Sequence, residues 1–222
     1  MRSAFQFSLP LPPLPVSYAP DDFLIGAAHV EAVQLAESLD VLPGAGLFVV
    51  GTAGSGKSHF LRWLSGRHSV PVLNASSLES LADESIPPLL LVDDTAAETT
   101  GTALFHTLNR AAAARAKVVL TSRMPLSGWT AALPDLVSRL KALTTVMLGA
   151  PDDATLAALY VKGFSERQMA ITPRFIHYLC RHGERSFSAA QRLVTALDDY
   201  AYREQKPLTV PLARQFFRET AL

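Results

Sequence analysis

Residues 51–58 read GTAGSGKS: Gly51, four residues, then Gly56, Lys57 and Ser58, which completes the phosphate-binding P-loop pattern. Its flanks supply the context that the pattern needs. Leu47–Val50 is a short apolar run suited to a buried strand, and His59–Leu64 places Phe60, Leu61 and Leu64 at helical spacing. In such a strand–loop–helix unit the glycines let backbone N–H groups turn inward around a phosphate, at the positive end of the following helix. The candidate nucleotide-contacting set is therefore Gly51, Thr52, Ala53, Gly54, Ser55, Gly56, Lys57, Ser58 and His59. Within it Lys57 would reach the β- and γ-phosphates, and the Ser58 hydroxyl would ligate magnesium.

Outward from the loop, apolar runs and helical spacing alternate. A helix is predicted over 27–40, strands over 70–73, 89–92, 117–121 and 145–148, a helical turn over 76–82, and helices over 101–116 and 133–143. Strands alternating with helices give an α/β domain with a parallel, doubly wound sheet, placed at 21–150. The apolar run Leu89–Val92 is closed by Asp93 and Asp94, the Walker B signature of a buried strand whose carboxylates emerge at the phosphate site. Asp93 would hold magnesium, and Asp94 stands where a base for the attacking water is expected. Ser122 and Arg123 follow the strand over 117–121, at the end of a parallel sheet where ligands sit.

Beyond Pro151 only helical spacing remains: Leu156, Tyr160 and Phe164, then Phe175, Ile176 and Leu179, then Phe187, Ala190, Val194 and Leu197, with a last helix over 211–220. This predicts a small all-helical domain over 151–222.

Twenty basic and twenty acidic residues cancel in the 222-residue chain, and no basic patch forms, which disfavours direct or sequence-specific DNA binding. Hydrophobic residues make up 49%, yet no apolar run approaches the roughly 18 residues that cross a bilayer. The single cysteine, Cys180, excludes an intrachain disulfide and suits a reducing compartment, so a cytoplasmic protein without a membrane partner is expected. With His177 and His182 it reads as a buried thiol beside two surface histidines. Residues 1–20, rich in proline and leucine, read as an extended tail. Within it Gln6, Phe7, Ser8, Leu9, Pro10 and Leu11 form a hydrophobic peptide that either folds back on its own domain or docks in a partner's pocket.

A P-loop α/β domain followed by helices is the layout of AAA+ ATPases. FLIG at 23–26 followed by His29, then GTAGSGKSHFL, LLLVDD, VVLTSRMP and LPDLVSRL, resemble the DnaA/Hda family in matching order. QFSLPL resembles the motif by which proteins dock on the bacterial sliding clamp. DnaA carries a further C-terminal helix-turn-helix domain, whereas this sequence stops after its helical part at Leu222. The resemblance implies a P-loop AAA+ domain with a helical lid, binding ADP or ATP with Mg2+. It implies a regulator that acts with the DNA polymerase III beta clamp to make DnaA hydrolyse its ATP, preventing over-initiation of replication, with weak turnover of its own. By the same resemblance Phe23, Ile25 and Gly26 fall on the adenine pocket, Ser122 at the sensor strand end, and Arg139 on an arginine finger acting in trans. The lid sensor is placed at Arg185 in preference to Arg192. The sequence departs from the family in carrying Arg123 after Ser122, where an acidic residue is usual.

A stand-alone ATPase such as a helicase loader is the alternative; it would need nucleic-acid contact, against which the neutral charge counts. A P-loop small-molecule kinase lacks a nameable substrate pocket, and a homo-oligomer is left open.

Overall fold

A computed structural model describes residues 26–42, 44–81, 85–130 and 133–220. Five strands form one sheet: β1 (Gly46–Val50), β2 (Val72–Asn74), β3 (Leu89–Thr95), β4 (Lys117–Ser122) and β5 (Thr144–Met147), in the order β2-β3-β4-β1-β5. Every pairing is parallel. The helices of this half are α1 (Val30–Glu37), α2 (Lys57–His68), α3 (Ala97–Ala113) and α4 (Pro134–Lys141).

β1 explains why the sheet is buried on both sides. All five of its residues are inaccessible, and because strand side chains alternate between faces, Leu47 and Val49 enter one core while Phe48 and Val50 enter the other. The first core joins them to Val33 and Ala36 of α1, Phe60, Leu61 and Leu64 of α2, and Leu91, Val119 and Val146. The second joins Phe48 and Val50 to Leu104 and Leu108 of α3, Leu136 and Leu140 of α4, Val92, Leu120 and Trp129. A continuous apolar strand covered by helices on both faces is the sequence signature of a parallel sheet.

All five predicted strands are present, with shifted edges. β2 runs over Val72–Asn74 instead of 70–73, because Pro71 has no N–H to give to a ladder. β3 does not stop at Val92: it passes Asp93 and Asp94, with a register irregularity, and Thr95 pairs with Ser122. The predicted helix over 27–40 is a 3-10 turn, Ala27–His29, leading into α1.

After β5 the chain forms α5 (Asp153–Glu166), α6 (Pro173–His182), α7 (Phe187–Glu204) and α8 (Val210–Thr220). Three of their starts are set by capping side chains: Asp152 accepts from the Thr155 N–H at 2.8 Å, Thr172 from Phe175 at 3.3 Å, and Ser186 from Ala189 at 3.1 Å. Leu156, Tyr160, Phe164, Phe175, Leu179, Val194, Leu197 and Phe216 form a third core that belongs to this bundle alone.

Candidate functional site

β1, β3 and β4 are neighbours, so their C-terminal ends meet at one edge, and the loop after β1 lies there with the helix α2 beginning at Lys57. The loop backbone bends at Gly54 and Gly56, with φ of +75° and +96°. A side chain at either position would be strained, and at Gly54 it would also press on Ser186 and Ser188 of the helical half. Gly51 donates its N–H to the Ser122 carbonyl at 3.1 Å, which ties the root of the loop to β4.

A cavity of about 320 Å³ opens here, within the size range of small-molecule sites. Ala53, Gly54, Gly56, Lys57, Ser58 and His59 line it from the loop and α2, with Arg62 further along. Asn74, Asp93, Asp94 and Arg123 line it from the strand ends, and Phe187, Ser188 and Gln191 from α7. Gly51, Thr52 and Ser55 stand behind the lining: the carbonyls of Gly51 and Thr52 accept from the Lys57 ammonium at 2.6 and 2.8 Å. Lys57 as a whole is 7% exposed. Burial pushes the Lys57 pKa below its ordinary value, and repulsion from Arg123 adds to the fall, while Asp93 and Asp94 oppose it.

The two aspartates have different partners. Asp93 accepts from the Thr121 hydroxyl at 2.5 Å and from the Asp94 N–H at 3.0 Å. Asp94 has φ of +57°, and both of its oxygens face Arg123, with Nε at 3.1 Å and Nη2 at 3.4 Å. Ser122, expected at the sensor position, is buried, and its hydroxyl accepts from the Met124 N–H; the hydroxyl that meets the Walker B carboxylate is that of Thr121. A polar residue at the end of the apolar run VVL was the available signal.

The helical half supplies residues that sequence spacing had assigned to packing. Phe187 donates its N–H to the Gly54 carbonyl at 2.8 Å, and its ring lies 4.6 Å from the ring of His29, whose Nε2 is 3.0 Å from the Ser55 carbonyl. The structure does not bring Arg185 into the cavity. It lies before the α7 cap, and its Nη1 is 2.6 Å from Asp153 at the start of α5, a charge-assisted pair that holds it beside α5. Arg192 is exposed near Glu184, at 3.9 Å. Gly26 packs against the Thr155 side chain and is not among the residues lining the cavity. Phe23, Ile25 and the stretch Gln6, Phe7, Ser8, Leu9, Pro10 and Leu11 lie outside the described residues. Arg139 is exposed on α4, whose Leu136 and Leu140 are buried, and does not line the chain's own cavity.

Charge and shape fit a magnesium-bound phosphate chain. Among the described residues no cluster of three His, Cys, Asp or Glu side chains could hold a metal alone, but magnesium takes most of its ligands from water and phosphate. Ser58 and Asp93, which share the cavity, are the residues that would hold it.

A parallel sheet with a P-loop after its first strand, Walker B carboxylates on a neighbouring strand and a helical bundle closing over the loop defines a P-loop AAA+ protein with a lid. Solved structures agree on the fold. Domain III of the replication initiator DnaA from Thermotoga maritima matches with a TM-score of 0.75 at 19% identity, over 94% of this chain and 98% of that one. AMPPCP-bound DnaA from Aquifex aeolicus matches with 0.68 at 18%, over 86% and 69%. The Thermotoga maritima RuvB branch-migration motor matches with 0.70 at 12%, over 91% and 72%. Residues 152–217 match the family model "Hda, lid domain". That match spans the helical lid alone, and the helical half of this chain is similar to the lid of that family.

Proposed function

We propose that this chain is an Hda-like regulator of replication initiation that binds ADP or ATP with Mg2+ in the P-loop cavity and promotes ATP hydrolysis by DnaA. The observation that carries the reading is the Hda lid seated on a P-loop cavity that combines Lys57, Ser58 and Asp93. The AMPPCP-bound DnaA relatives support an adenine nucleotide as the ligand. In this reading Lys57 leaves the carbonyls of Gly51 and Thr52 for a phosphate, loop N–H groups orient it, and α7 limits access of water. Magnesium, held by Ser58 and Asp93, supplies charge neutralisation at the phosphates.

The regulatory output is assigned to Arg139. Its exposure on α4, away from the lining of the chain's own cavity, supports a role toward a nucleotide held by another subunit, where an arginine supplied in trans is worth about 10³- to 10⁵-fold in hydrolysis. The tail residues Gln6–Leu11 are assigned to the sliding clamp, which concentrates the protein where DnaA is to be inactivated. The test is turnover of DnaA-bound ATP with clamp loaded on DNA, for the wild type and Arg139→Ala. Loss of stimulation by a factor of about 10³ is expected, with ADP binding and melting temperature retained; equal stimulation by both proteins removes Arg139 from the mechanism.

A further inference from the structure

The lid carries four arginines that the nucleotide cavity does not use. Arg174 and Arg181 stand on α6, Arg214 and Arg218 on α8, and all four are exposed. No run of basic residues marks them in the sequence, because helical spacing and helix packing gather them only after folding. Arg174 and Arg181 lie two turns apart, about 10 Å along α6, with Tyr178 neighbouring both; on α8, Arg214 neighbours both Phe217 and Arg218. Rings join the two helices at this face. Tyr178 stacks on His182, with centroids 4.1 Å apart and planes at 17°, and Phe217 lies 6.2 Å from Tyr178 and 6.4 Å from His182. The acidic side chains around it are engaged elsewhere. Glu184 faces Arg192, Asp153 holds Arg185, and Glu219 accepts from the Tyr200 hydroxyl at 2.8 Å and from Gln215 at 2.9 Å. Among the described residues, none of the four guanidinium groups makes an ion pair or a hydrogen bond.

We propose that this face of α6 and α8 binds the phosphate backbone of duplex DNA without reading its sequence. Four cations without acidic partners raise a positive potential over one side of a chain whose formal net charge is zero. Arginine meets phosphate through two parallel N–H bonds, so each guanidinium has a matching acceptor on a DNA strand. One strand of a duplex carries a charge about every 3.4 Å, so Arg174 and Arg181 span about three phosphates. Arg214 and Arg218, on a helix packed roughly 8–10 Å away, meet further ones. The rings favour backbone over bases as the target: Tyr178, His182 and Phe217 are spent on the seam between the helices, whereas single-strand binders leave such rings open for bases to stack on. None of these residues lines the nucleotide cavity, so the proposal stands independently of the nucleotide reading. Beside a clamp loaded on DNA, the face would give the chain a second attachment, and two linked attachments reinforce each other.

The test is fluorescence anisotropy of a labelled duplex of arbitrary sequence, titrated with the full chain from about 50 to about 200 mM KCl. With four phosphates neutralised, log K falls against log salt with a slope of about −3.6, a loss of roughly 100-fold across that range. A second duplex of unrelated sequence binds within about twofold, since backbone contacts carry no sequence information. The pair Arg174→Ala and Arg181→Ala, and the pair Arg214→Ala and Arg218→Ala, each reduce the slope by about two, and all four together remove binding. Because the side chains are exposed, melting temperature and ADP affinity stay at their wild-type values. Lysine at all four positions keeps the charge and therefore the slope, which a structural role for the guanidinium groups would not. No binding at the low-salt end, or a slope unchanged in both double variants, overturns the proposal. A single strand bound about tenfold more tightly than the duplex also overturns it, because the face would then be a base-stacking site. Polyglutamate bound more tightly than the duplex at equal salt overturns it too, by assigning the face to an acidic protein.

Discussion

Lys57 shows how one buried cation links structure to ligand. Its ammonium rests on two loop carbonyls, so a phosphate offers it a partner of opposite charge in place of neutral ones. Lys57→Ala should weaken ADP binding by at least roughly tenfold, and unchanged calorimetric affinity would show that the loop is not a phosphate site. The lowered pKa adds a linkage test. Between that value and the ordinary 10.5 the folded protein has shed a proton that the unfolded chain keeps, so this lysine's contribution to stability rises with pH across the window and its burial penalty is greatest below it. A bound phosphate returns the pKa upward. ADP binding at alkaline pH is therefore expected to take up protons, seen as a calorimetric heat that changes with the ionisation enthalpy of the buffer; Lys57→Ala should remove that component.

The start of α7 is the element that joins the two halves. Ser186 caps the helix and donates to Glu184 at 3.0 Å, Phe187 bonds the loop at Gly54, and Ser188 and Gln191 follow on the cavity side. Replacing Ser186 by Ala removes the cap and should cost about 1 kcal/mol, a fall of roughly 2–4 °C in melting temperature for a chain of this size. Phe187→Ala removes a nearly buried ring that packs on His29, with an expected cost of about 3 kcal/mol. It should also weaken ADP binding, because α7 would no longer be held against the loop. Full ADP affinity in folded Phe187→Ala would show that this face of the lid is not part of the site.

At the scale of the whole molecule, two apolar cores flank the sheet and a third fills the lid among the described residues. Alanine at Gln6, Leu9 and Leu11 together should abolish clamp binding and leave the melting temperature within about 1 °C, since segments outside a core contribute little to folding; a fall of several degrees would favour the tail folding back on its own domain. The order of strands and helices, the P-loop and the Walker B run were legible in the sequence, because side-chain period and motif spacing are local. Phe48 and Val49 declare two buried faces simply by standing next to each other. What the sequence left undetermined was which distant groups meet. Arg123 reaches Asp94 across 29 positions and Thr121 reaches Asp93 across 28, contacts that exist because β3 and β4 lie side by side in register. Phe187 meets Gly54, and Arg185 is drawn aside to Asp153, because the lid folds back over the loop. Strand order and lid placement follow from burying all three cores at once, a condition on the entire chain that no short stretch of sequence carries.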